Sequence, residues 1–278
     1  MIQKTTAAIL QMTSGIDPAG NAVVLADAIA AAAAQGAEMV FTPEMSNLID
    51  RDRTRARAAI VREEEDRVLA VVRDAAAKAG IWVHLGSIAV LRDDGRFANR
   101  GFVIDASGEI RGRYDKLHLF DVDLASGESW RESSVYASGE AAVVVVTPVG
   151  MLGLSICYDL RFPALYSALA TAGATVLAVP SAFTRPTGQA HWQTLLRARA
   201  IENAAFVIAA AQTGEHEDGR ATHGHSLAID PWGDVLSDAG EGTGLSFAAI
   251  DTARVGEVRV RIPVLTHALA IPPVEVLA

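Results

Sequence analysis

The sequence predicts an α/β fold with parallel and antiparallel strands in the same sheets, and three patterns carry that prediction. A strand, helix, strand unit opens the chain. A run of strands joined by tight turns fills the middle. The second half returns to alternating helices and apolar strands.

In the opening unit, "AAILQM" reads as a strand, Asn21 to Gln35 as a helix stopped by Gly36, and "AEMVFTP" as a strand whose end delivers Glu44. A charged helix is predicted from about Ala59 to Ala79, with "REEED" as its solvated face. "IWVHLGSIAVL", "FANRGFVID" and "EIRGRYDK" are separated by "RDDG" and "ASGE", turn signals that favour antiparallel pairing. After a loop containing Glu128 and Glu132, "AAVVVVTPVG" and "MLGLSI" form a strand pair that runs into Cys157. Then come a helix over "PALYSALATAG", a strand in "ATVLAVP", a helix from about Ala190 to Asn203 and a strand in "AFVIAAAQ". "GHSLAIDPWGDVL" reads as two strands about a Pro-Trp-Gly-Asp turn. With no linker or repeat to divide it, residues 1–278 are read as a single domain.

Composition narrows the function. The chain has 24 Lys and Arg against 33 Asp and Glu, a formal net charge of −9, so a nucleic-acid partner is not expected. Its single cysteine can form neither an internal disulfide nor a multi-thiolate metal site, which favours a reducing cytoplasm. Residues 162–184 carry no charge, but Pro163, Gly173 and Pro180 divide them into a helix and a strand, so no membrane association is expected.

Glu44, Lys116 and Cys157 each follow an apolar strand, and side chains at one end of adjacent strands can converge on one cleft. Chemically they form a set. A thiol is a nucleophile once deprotonated, a carboxylate can take and return its proton, and an ammonium can hold an oxyanion. A helix opening at Cys157 would add the Tyr158 N–H and a favourable dipole. Taken singly, each residue has a plainer reading: a buried packing cysteine and two surface charges.

The words around them change this. "FTPEMSN", "RYDKLHLFDVD" and "LSICYDLRFP" resemble, in this order, the nitrilase superfamily of carbon–nitrogen hydrolases. "RESS", "PSAFTRPTGQAHWQTLLRARAIEN" and "AAAQTGEH…GHSLAIDPWGDV" are similar to its branch acting on deaminated glutathione and on ω-amides of 2-oxo acids. The resemblance implies a four-layer αββα sandwich of two mixed sheets with helices outside, assembled as a homodimer or larger homo-oligomer. It implies Cys157 as nucleophile, Glu44 as general base, Lys116 and the Tyr158 N–H as the oxyanion site, and Glu132 in support. It also implies Arg161, Phe183 and Thr187 as substrate-lining residues, and no cofactor or metal.

The activity so implied is hydrolysis of a small carboxylate-bearing primary amide to acid and ammonia through a thioester. An ω-amidase acting on 2-oxoglutaramate, an N-carbamoyl or nitrile hydrolase, and a catalytically silent binding or scaffold protein are the alternatives. Arg161 either clamps a substrate carboxylate or braces the turn against Asp159. A histidine base from His118, His191, His223 or His225 is disfavoured, since the family uses the first and last structurally. Trp192 and Trp232 read as packing residues. Met45, Ser46 and the loop 213–222 depart from many relatives and lie where they could reach the mouth of the site.

Overall fold

The computed structural model describes residues 4–123 and 129–277; Glu128 lies outside them. Two six-stranded sheets dominate. The first contains β1 (Thr5–Gln11), β2 (Met39–Phe41), β3 (Trp82–Leu91), β4 (Phe97–Ile104), β5 (Ile110–Asp115) and β16 (Gly244–Ile250), in the order β16-β1-β2-β3-β4-β5. Two short hairpins stand apart: β6 (Asp121–Asp123) with β7 (Ser129–Arg131), and β12 (Thr213–Glu215) with β13 (Ala221–His223). The second sheet contains β8 (Val144–Thr147), β9 (Gly150–Leu154), β10 (Val176–Ala178), β11 (Phe206–Ala209), β14 (Leu227–Ile229) and β15 (Val235–Asp238). Its order is β15-β14-β11-β10-β9-β8.

The sheets repeat one pairing pattern. From β16, neighbouring strands pair antiparallel, parallel, parallel, antiparallel, antiparallel. From β8 the series is the same. This is a repeat of topology without a repeat of sequence, which is why the strings of residues conceal it.

Strand alternation separates the layers. In the first sheet Ala7, Ile9, Met39 and Phe41 join the core shared with the second sheet. Ala8, Leu10 and Val40 instead meet Leu25 and Ile29 of α1 (Pro18–Ala34) and Val68 and Val72 of α3 (Arg67–Ala79). On the other side, Leu165 and Leu169 of α4 (Pro163–Thr171) and Trp192 and Leu196 of α5 (Arg185–Asn203) close over the second sheet. The result is the α/β four-layer αββα sandwich expected from the sequence. Residues 162–184 contain α4 and β10, and among the described residues no helix is long and apolar enough to cross a membrane.

The predicted helix over 59–79 is corrected. A seven-residue helix, α2 (Arg53–Ala59), ends at Ile60, and Glu63–Glu65 form a single 3-10 turn before α3. Asp66 causes the break, because its carboxylate accepts the Leu69 N–H at 2.8 Å and caps α3 as a new helix. The acidic run is not simply a solvated face, since Glu63 pairs with Arg100 at 2.9 Å and Arg113 at 2.7 Å. Two further helices, α6 (Ala253–Arg261) and α7 (Val264–His267), end the chain.

Candidate active site

Glu44 lies three residues past β2, on a turn that packs into a bulge of β3. Gly86 is at the contact: a Cβ there would fall 2.0 Å from the Thr42 carbonyl and 2.6 Å from that of Pro43. Only glycine allows this approach. The next residue, Ser87, then fixes the turn, its hydroxyl accepting the Met45 N–H at 2.9 Å and its carbonyl the Ser46 N–H at 2.8 Å. Met45 takes a left-handed φ of 56° to make the reversal.

Lys116 follows β5 directly, and its N–H donates to the Asn99 carbonyl of β4 at 3.0 Å. Cys157 lies beyond β9, with its N–H on the Pro180 carbonyl at 2.9 Å and a φ of 50°. It opens a 3-10 turn, Cys157–Arg161, with α4 beginning only at Pro163. The dipole expected from a helix starting at the nucleophile is therefore confined to that one short turn.

Asp159 fixes the turn. Its Oδ2 accepts the Ile156 N–H at 2.9 Å and the Tyr114 hydroxyl at 2.7 Å. Its Oδ1 accepts the His118 N–H at 3.0 Å and His118 Nδ1 at 2.7 Å. One fully buried carboxylate thus ties the segment bearing Lys116 to the turn bearing Cys157. With both oxygens so occupied, the Arg161–Asp159 brace is not formed. Arg161 instead lies 5.9 Å from the Tyr158 ring centroid and 5.5 Å from that of Phe183, with its guanidinium 3.3 Å from His191 Nδ1.

The predicted triplet converges. Lys116 Nζ donates to Glu44 Oε1 at 2.9 Å and to Glu132 Oε2 at 3.0 Å. Glu44 Oε2 accepts the Ala182 N–H at 2.9 Å, and Cys157 lines the same cavity. All three side chains are buried, with Glu44 4%, Lys116 2% and Cys157 8% exposed.

Asn99, which the sequence reading missed, completes the cluster by donating to Glu44 Oε1 at 2.9 Å and Glu132 Oε1 at 3.3 Å. Its signal was an asparagine beside Arg100 in a strand whose other residues are apolar or glycine. Burial, then the Glu44 carboxylate, pushes the Cys157 thiol well up, with Lys116 pulling the other way. Burial alone would push the Lys116 ammonium down, but Glu132 and then Glu44 outweigh it and hold it well above its ordinary value.

These groups form the floor of a cavity of about 980 Å³. Arg161, Phe183 and Thr187 line it, as do Tyr158 and Met45. Ser46 does not, since its hydroxyl donates to the Pro43 carbonyl at 2.8 Å. No histidine is among the lining residues. His118 and His225 are tied to Asp159 and Asp238, and buried Trp192 donates to the His225 carbonyl at 2.7 Å. Among the described residues, no group of three or more His, Cys, Asp or Glu could hold a metal ion.

Six arginines reach the cavity, Arg51, Arg53, Arg57, Arg131, Arg161 and Arg220, against the carboxylates of Glu44, Asp50 and Glu132. A protein of net charge −9 therefore presents a locally cationic cleft, which concentrates anionic small molecules. Arg220, from the 213–222 loop, was not foreseen. Its guanidinium lies 4.8 Å from the Trp130 ring centroid, and burial pushes it down from its ordinary value while Asp218 pulls it back.

The comparisons agree with this geometry. Residues 6–260 match the carbon-nitrogen hydrolase family model. The chain is 37% identical over 274 residues to a deaminated glutathione amidase of Yersinia enterocolitica, covering 96% of this chain and 93% of the relative. It superimposes with a TM-score of 0.89, at 39% identity, on the C. elegans NitFhit protein, covering 95% of this chain and 65% of that one. A further solved structure, at TM-score 0.77 and 25% identity, is a glutamate-to-glutamine mutant of an amidase from Nesterenkonia sp. AN1, which shows the result of Michael addition of acrylamide at its active-site cysteine; the match covers 93% of this chain and 98% of that one. With the two-sheet sandwich and the polar cluster at its strand ends, the chain belongs to the carbon–nitrogen hydrolase family of the nitrilase superfamily.

Proposed function

We infer that this protein is a cysteine-dependent amidase that hydrolyses a small carboxylate-bearing amide through a thioester. The observation that carries the reading is the buried Glu44–Lys116–Glu132 cluster on the floor of the cavity that holds the chain's single cysteine. The cationic lining supports a carboxylate on the substrate, and relatives named deaminated glutathione amidase support the branch.

In the free enzyme the raised thiol pKa keeps Cys157 protonated, so attack and proton transfer occur together. The Cys157 proton passes to Glu44 as Sγ bonds to the amide carbon. The developing oxyanion is held by Lys116 and the Tyr158 N–H, each well-placed donor worth about 3–4 kcal/mol. Lys116 has three N–H bonds, and two carboxylates engage it, which leaves one donor for the oxyanion. Glu44 then protonates the amine nitrogen, the C–N bond breaks and the amine departs, ammonia if the amide is primary. Water, losing a proton to Glu44, attacks the thioester; the C–S bond breaks and the thiolate recovers that proton. Glu132 keeps Lys116 charged and in place.

The test compares release of ammonia or amine from deaminated glutathione and from 2-oxoglutaramate by the wild-type protein and by Cys157→Ala. Cys157-dependent release from either supports the amidase reading. Turnover of N-carbamoyl compounds or nitriles alone overturns it. Turnover of nothing, with Cys157 inert to a thiol-reactive amide mimic, leaves a non-catalytic binding protein as the answer.

A further inference from the structure

Along one side of the cavity runs a wall of aromatic rings with a guanidinium at each end. Arg220 lies 4.8 Å from the Trp130 ring centroid; Trp130 and Phe120 are 6.3 Å apart, and Phe120 and Tyr158 5.1 Å apart. Arg161 lies 5.9 Å from Tyr158. The reacting groups stand beside the middle of this wall, since Glu132 Oε2, which holds Lys116, also accepts the Phe120 N–H at 2.7 Å. The two cations have separate surroundings. Arg161 contacts His191, Tyr158 and Phe183, whereas Arg220 contacts Trp130 and Asp218.

The Arg220 end carries a second observation. Among the described residues, Arg220 Nε and Trp130 Nε1 are both buried donors without a hydrogen-bond partner. A buried N–H left unpaired is costly, and here two of them, on stacked side chains, line the same cavity. Asp218 Oδ2 lies 3.2 Å from a terminal nitrogen of Arg220 and is itself a buried acceptor without a hydrogen-bond partner among the described residues, so it offsets part of the guanidinium charge and leaves Nε unpaired.

We propose that Arg220 and Trp130 form a second carboxylate subsite, which receives an anionic group on the leaving amine, while Arg161 receives the carboxylate of the acyl part. This rests on the amidase reading above. The assignment of ends follows from the chain. Arg161 shares the 3-10 turn of Cys157, where the acyl group stays bound as thioester, and Arg220 lies at the far end of the wall. The Nε–H of Arg220 and the indole N–H both donate to the incoming carboxylate, over a ring face that packs the amine's carbon chain. Arg220 and Trp130 therefore set the preference between amides whose leaving amine is anionic and amides whose leaving amine is neutral.

Three synthetic amides test this: glutaramate, N-methylglutaramate and N-glutarylglycine. The first two lack a carboxylate on the amine, and the third has one. Wild-type kcat/KM is expected to be at least tenfold higher for N-glutarylglycine than for N-methylglutaramate. Arg220→Gln should remove most of that advantage through KM, and Trp130→Phe, which keeps a ring but loses the N–H, a smaller part. Arg161→Gln should depress all three amides alike. No preference in the wild type, or an Arg220→Gln loss equal on all three, overturns the subsite and leaves the amidase reading intact.

Should the wild type turn over none of them, the affinities of Cys157→Ala for N-glutarylglycine and N-methylglutaramate, with and without Arg220→Gln, decide the subsite by binding alone. There too, an Arg220-dependent preference of tenfold or more supports it and equal affinities overturn it. A near-ultraviolet circular dichroism spectrum matching the wild type establishes that each variant is folded.

Discussion

The floor of the cavity and its aromatic wall are built on opposite principles. On the floor, Lys116, Glu44, Glu132 and Asn99 are bonded to one another and to the backbone at strand ends that the two sheets hold rigid. On the wall, side chains from the β6–β7 hairpin, the β12–β13 hairpin and the 3-10 turn stack ring on ring, and donors at the Arg220 end stay unpaired. The contrast teaches that chemistry here is preorganised by a bonded network, with Asn99 Oδ1 as its one unpaired buried atom among the described residues, and recognition by leaving donors unused. Floor substitutions should therefore strike kcat and stability together. Wall substitutions should strike KM and leave stability nearly unchanged.

The largest effect is expected from Lys116→Met. It removes the charge between Glu44 and Glu132, leaving two buried carboxylates face to face, so turnover should vanish and stability fall by about 3–5 kcal/mol. Amine release and urea denaturation measure the two losses. Turnover near the wild-type rate would remove the lysine from the mechanism.

Next comes Asp159→Asn, which replaces a carboxylate accepting four hydrogen bonds with an amide that has one acceptor oxygen. Stability should drop by about 2–3 kcal/mol. Because Asp159 positions the turn without touching substrate, kcat should fall while KM holds. A loss of KM alone would place Asp159 on the recognition side of the comparison.

The thiol supplies a test of sign. The Glu44 carboxylate raises the Cys157 pKa and Lys116 lowers it. Glu44→Gln should therefore move thiolate formation in the free enzyme to lower pH, and Lys116→Met to higher pH. Ultraviolet thiolate absorbance reads this directly, since the chain has one cysteine. Shifts of the same sign would mean that the floor's charges do not govern the nucleophile.

The smallest effect at neutral pH concerns His84, packed beside Phe41 beneath the Glu44 turn, where burial pushes its pKa down to about 3. The fold keeps it neutral, while the unfolded chain takes a proton below its ordinary 6.5. Its contribution is thus complete above that pH and is lost as pH falls toward 3, by about 1.4 kcal/mol per pH unit. His84→Leu should flatten the acid limb of the stability curve without changing the neutral region. An unaltered acid limb would place the acid sensitivity elsewhere.

The floor was legible in the sequence because its residues follow strands, and strand periodicity and turn residues are local signals. Glu44, Lys116 and Cys157 could be named from their flanking words, and Glu132 from the resemblance. The wall was mostly hidden. Trp130 and Arg220 belong to short hairpins distant in sequence, and nothing local says that an indole and a guanidinium will stack. Asn99 showed only as polarity within "FANRGF". The break between Ile60 and Asp66 was missed because Asp66, a local N-cap signal, stands in the acidic run "REEED" and was read as part of a charged helix face. For Arg161, the sequence offered Asp159 as partner; the actual partners of Asp159, Tyr114 and His118, come from another strand end.

Two catalytic turns hold non-glycine residues at left-handed φ, Met45 at 56° and Cys157 at 50°. A side chain in that region costs roughly 1–2 kcal/mol that glycine does not incur. The scaffold would thus be sturdier with glycine at position 157, where no nucleophile would remain. Selection for heat resistance alone would favour glycine there, so a cysteine at this position answers a demand other than stability.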